Sequence, residues 1–68
     1  MRASIKPTSY KIANGLWINV YRNGDFYLTK LLPSGIKPVS PLEADYKSIP
    51  KINTMVKLRD LANKLANK

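Results

Sequence analysis

The chain reads as an α+β protein: a three- to four-stranded antiparallel β-meander packed on one face by a C-terminal α-helix. Three observations predict this. Ala13-Asn14-Gly15 and Arg22-Asn23-Gly24 stand nine residues apart, and Asn-Gly between β-rich runs is the strongest short-range hairpin signal. The run they bracket, Leu16-Trp17-Ile18-Asn19-Val20-Tyr21, is rich in β-branched and aromatic residues. Near the C-terminus Met55, Leu58, Leu61, Ala62 and Leu65 recur at spacings of three and four, which makes one apolar helical stripe. The competing architecture is a small SH3-like barrel with the same helix, in which Trp17 turns inward.

Residues 1–7 are expected to be a flexible basic lead-in, with Pro7 setting the approach to the first strand. The meander then occupies residues 8–39, with strands over 8–12, 16–21, 25–32 and, after the turn signal Pro33-Ser34-Gly35, over 36–39. Pro38 lacks an N–H and confines the fourth strand to a sheet edge. A three-residue loop x-Asn-Gly, with the glycine left-handed, pairs Ile12 with Leu16 and Tyr21 with Asp25. One face then collects Tyr10, Ile12, Leu16, Ile18, Val20, Phe26, Leu28, Leu32 and Ile36. The other collects Ser9, Lys11, Trp17, Asn19, Tyr21, Asp25, Tyr27, Thr29, Leu31 and Lys37. A two-residue Asn-Gly turn would slip the third strand by one and mix these sets, because side chains alternate with period two.

Residues 40–50 are expected to hold a short helical turn and a connector. Ser40-Pro41-Leu42-Glu43 has the hydroxyl, first-turn proline and third-position glutamate of a helix start. The turn should span 41–46, since Pro50 keeps Ile49 out of the α region. The main helix is expected within residues 51–67, beginning at Lys51 or Ile52 and ending at Ala66. Asp60 precedes Lys64 by four residues, the favourable order for a helical ion pair. Phe26 belongs to the core, while Tyr10 and Tyr46 should pack at its edge with their hydroxyls in water.

Composition narrows the function. A 68-residue chain buries only about 60% of its unfolded surface, and this one forms a single small domain over 1–68. It has no Cys and no His, which removes disulfides, thiolate metal sites and the commonest general base. The four acids, Asp25, Glu43, Asp45 and Asp60, offer no spacing suited to acid–base pairs or a hard-cation cage. An enzyme is not expected, and neither a metal nor another cofactor is called for. No apolar run approaches the roughly 18–20 residues that span a bilayer, and the opening residues lack an apolar signal-peptide core. The reading is a cytoplasmic protein with no membrane insertion.

The formal net charge is +8 and the pI about 10.1. Such an excess on a short chain attracts nucleic acid, anionic surfaces or acidic proteins. Nine of the twelve cations are lysine, and with plentiful Asn and Ile this matches an AT-rich coding genome such as that of a phage or a low-GC bacterium. On the meander, the face away from the helix places Trp17, Tyr21 and Tyr27 among Lys11, Asn19 and Lys37, with Arg22 and Lys30 at its margins. Aromatic planes interleaved with cations suit a single-stranded nucleic acid, whose bases stack while lysine and arginine follow the phosphates. A twisted sheet with Asn, Arg and Lys also suits a duplex major groove. The expected partner is nucleic acid, DNA or RNA, bound by an accessory or regulatory protein. The alternative is a protein-interaction module, such as a phage-encoded inhibitor or adaptor, seating the same face on an acidic protein.

Overall fold

The computed structural model describes residues 6–43 and 46–67. Strands β1 (Thr8–Ala13), β2 (Leu16–Val20), β3 (Phe26–Leu32) and β4 (Gly35–Val39) form one antiparallel sheet in chain order. A single 3-10 turn (Tyr46–Ser48) and the helix α1 (Met55–Ala66) follow. The sheet is open, with β1 and β4 as its two edges, so the meander and not the barrel is the fold.

Local turn chemistry explains the first three strands. Gly15 and Gly24 have φ of +71° and +93°, while no described non-glycine residue has positive φ. A type I′ turn needs positive φ at the asparagine as well, and is therefore absent from both loops. At the second loop the Gly24 N–H donates to the Tyr21 carbonyl (3.0 Å) and the Tyr21 N–H to the Asp25 carbonyl (2.8 Å). That closes the expected Tyr21–Asp25 pair. Asn23 Oδ1 accepts from the Asp25 N–H (2.9 Å), and its Nδ2 donates to the Asp25 carboxylate (3.0 Å). The register places Tyr10 opposite Ile18, Ile18 opposite Leu28, and Val20 opposite Phe26.

Two pairings differ from expectation. The β1–β2 ladder shifts by one between Lys11 and Ala13, so Ala13 and not Ile12 faces Leu16. The third loop is shorter than expected: Leu32 pairs with Gly35, leaving only Pro33 and Ser34 between the strands. Gly35, at φ +126°, takes a backbone shape that other residues rarely adopt and so closes the shorter loop. Because faces alternate, the whole of β4 is inverted. Ile36 pairs with Leu31 on the uncovered face, and Lys37 pairs with Lys30 on the helix side.

The core is built from Leu16, Ile18, Val20 and Leu28 of the sheet, Leu58 and Ala62 of α1, and Tyr46 and Ile52 of the connector. Ile18, Leu28 and Leu58 are fully buried. Phe26 and Tyr10 pack against this cluster half-buried. Tyr46 is only 3% exposed and lies inside the core, not at its edge. With strands on one side only, the connector has to cover the sheet beyond the helix, and Tyr46 is its largest ring.

The connector also corrects the helix boundaries. The Ser40 hydroxyl accepts from the Glu43 N–H (3.3 Å) as a cap would, but residues 41–43 form a turn. Residues 44–45 of the expected 41–46 turn lie outside the described residues, as do residues 1–5 of the lead-in. Ile49 and Ile52 form an isolated bridge around Pro50 and Lys51, so the chain is still turning where the helix was expected to begin. The helix starts after Thr54, whose extended backbone and hydroxyl, accepting from the Lys57 N–H (3.2 Å), make it the N-cap.

Candidate interaction face of the sheet

Helix α1 packs on the side of the sheet that carries Ile18 and Leu28, and no described element covers the other side. Its side chains follow from the ladder. Lys11, Trp17, Thr29 and Pro38 form one cross-strand row; Ser9, Asn19 and Tyr27 form the next. Beyond them lie Tyr21 and Asp25, and at the opposite end Leu31 and Ile36. Trp17, Tyr21 and Tyr27 are each half-buried. The Tyr21 and Tyr27 centroids stand 6.0 Å apart at an interplanar angle of 41°, a tilted contact that the ring quadrupoles favour.

The expected site residues divide. Trp17, Tyr21, Tyr27 and Lys11 share the uncovered face, and Arg22 is exposed in the turn at its end. Lys30 and Lys37 are not on this face: Lys30 pairs with core-facing Leu16 on one side and with Lys37 on the other. Asn19 is on the face but does not present its amide outward, being only 4% exposed. Its Nδ2 donates to the Tyr27 carbonyl (3.2 Å) and Thr29 Oγ1 (3.1 Å), and its Oδ1 accepts from the Ser9 hydroxyl. The amide thus ties β1, β2 and β3 together. Hydroxyls at Ser9 and Thr29, on the same face of the two neighbouring strands, were the available sequence signal for that role.

The correction of β4 also makes the face more apolar than expected. Leu31 and Ile36 lie opposite each other at 55% and 60% exposure. Lys11 is the one cation within the described ladder of this face. Other cations gather elsewhere: Lys51, Lys57 and Lys64 surround Ile52 and Leu61 in a groove of about 370 Å³ along α1, with Asp60 among them.

A larger cleft, about 800 Å³, opens between the β2–β3 hairpin and the helix. Tyr21, Phe26 and Tyr27 line its hairpin wall, and Met55, Arg59 and Asn63 its helix wall. The helix wall is a flank at spacing four, a pattern present in the sequence but without meaning until the second hairpin is placed beside it. Arg59 was not among the expected site residues.

Among the described residues no cluster of three or more metal-ligating side chains exists, and no helix is long and apolar enough to cross a membrane. No family model matches the chain, and no curated protein or solved structure shows significant similarity to it.

Proposed function

We propose that the chain is a small, non-enzymatic nucleic-acid-binding protein of accessory or regulatory type, which takes exposed bases on the uncovered sheet face. The observation that carries this is the sharing of that face by Trp17, Tyr21 and Tyr27 on a chain of net charge +8. Each stacked base contributes about 1–3 kcal/mol, with little regard to sequence. Lys11 and Arg22 flank the rings, and the remaining cations supply long-range attraction. Partly exposed, unpaired base faces fit such a surface better than a closed duplex does, which favours a single strand.

The test is fluorescence anisotropy of a labelled mixed-sequence single strand, titrated across salt. If four or five phosphates are neutralised, log K should fall against log salt with a slope near −3 on single strands. The Trp17 indole should quench on binding. No measurable affinity at about 50 mM salt would overturn the proposal.

One observation favours a second reading, a module that binds an acidic protein. Exposed Leu31 and Ile36 beside Trp17 form a charge-poor, aromatic-rich patch, the composition found at the centres of protein interfaces. A stoichiometric acidic partner, retained after nuclease treatment and lost on Ile36→Asp, would select this reading.

A further inference from the structure

We infer that the cleft between the second hairpin turn and α1 is a nucleotide site, with the base against the hairpin wall and the phosphate on Arg59. The choice of ligand rests on the nucleic-acid reading above; the site itself rests on geometry. At about 800 Å³ the cleft falls in the range of pockets that hold small ligands, roughly 300–1,000 Å³. Its walls differ in chemistry. The aromatic residues Tyr21, Phe26 and Tyr27 line one side, and the cationic Arg59 the other.

Arg59 is exposed and makes no ion pair with a described residue. Its planar donor fork matches two phosphate oxygens at once, which a lysine cannot do. Asp25 also lines the cleft, on the hairpin side, where Asn23 Nδ2 holds its carboxylate at 3.0 Å. That charge repels a phosphate from the hairpin wall and accepts from amino or imino groups of a base. The two charges therefore orient the ligand in one sense.

The two walls also approach each other closely at one point. Gly24, in the turn, lies against Asn63 so closely that a Cβ there would stand 2.7 Å from Asn63 Oδ1. Tyr21 and Tyr27 belong to both the cleft and the open sheet face. A strand stacked across that face thus runs into the cleft, where one nucleotide turns in and its phosphate meets the helix.

The experiment uses the full chain and three probes: 5′-AMP, inorganic phosphate, and a mixed single strand of about 12 nucleotides. Binding is followed by backbone amide and arginine Nε–H NMR signals. The expected result is that 5′-AMP moves Gly24, Tyr27 and Arg59 together, and more strongly than phosphate alone. Arg59→Met should weaken 5′-AMP about tenfold, lower the salt slope of the oligonucleotide by about 0.7, and leave Trp17 quenching and the melting temperature in place. Arg59→Lys should recover only part of the affinity. The proposal is overturned if 5′-AMP moves only the Lys51–Lys57–Lys64 groove, or if Arg59→Met binds it as tightly as the native chain. Oligonucleotide binding with native slope in Arg59→Met removes the cleft and keeps the sheet-face reading. Binding of 5′-AMP without any oligonucleotide binding does the reverse.

Discussion

Gly24 and Asn63 face each other across the β2–β3 turn and the end of α1: a Cβ built on Gly24 would stand 2.7 Å from Asn63 Oδ1. Two separate causes therefore favour glycine at this position, a left-handed φ of +93° and a neighbouring Asn63 amide that a methyl would push aside. Gly24→Ala should destabilise the fold by about 1–3 kcal/mol, combining backbone strain with the contact. Gly15→Ala shares the left-handed φ but meets only ordinary contact, 3.6 Å from Leu31 Cβ, and should cost less. Urea denaturation of Gly24→Ala, Asn63→Ala and the double variant separates the causes. The double variant should recover the steric part and keep the conformational part.

Asn19 is a structural residue inside a candidate binding face. Asn19→Leu should destabilise by about 1–3 kcal/mol, since it removes the buried amide's hydrogen bonds to Ser9, Tyr27 and Thr29. Thermal unfolding measures the loss. A variant with native stability and reduced oligonucleotide affinity would instead make Asn19 a contact residue.

Trp17→Ala should weaken single-strand binding by about 1–3 kcal/mol with the salt slope unchanged, because a stacked ring displaces no counterions. Lys11→Ala should lower the slope by about 0.7 and the affinity at low salt only. A slope change in Trp17→Ala, or none in Lys11→Ala, would contradict the division of labour between rings and cations.

Lys30 and Lys37 oppose each other directly across β3 and β4, an unfavourable arrangement for like charges. Lys37→Glu should therefore stabilise the sheet by about 0.2–1 kcal/mol. Since Lys37 lies away from the aromatic face, Trp17 quenching by bound oligonucleotide should persist in this variant. Equilibrium unfolding together with a quenching titration reads both effects.

Thr54 caps α1 through its hydroxyl. Thr54→Ala should reduce stability by about 0.5–2 kcal/mol and Thr54→Ser or Thr54→Asp should retain it, as read by circular dichroism during urea unfolding.

The sequence alone determined the meander, the pairing of its second loop and the apolar stripe of the helix. These depend on neighbours in the chain: Gly24 supplies a left-handed φ two residues beyond Arg22, and Leu58, Leu61, Ala62 and Leu65 share a face by spacing. Tertiary structure decided which face β4 presents. Pro33-Ser34-Gly35 can close over two residues or three with its glycine left-handed, and one residue of loop length inverts every later side chain. It also decided what surrounds Asn19 and Arg59. An amide becomes a clamp only when hydroxyls on two other strands reach it, and an exposed arginine gains a cleft only when a distant turn settles on its helix. Such contacts join residues far apart in the chain, and no local pattern of charge or hydropathy encodes them.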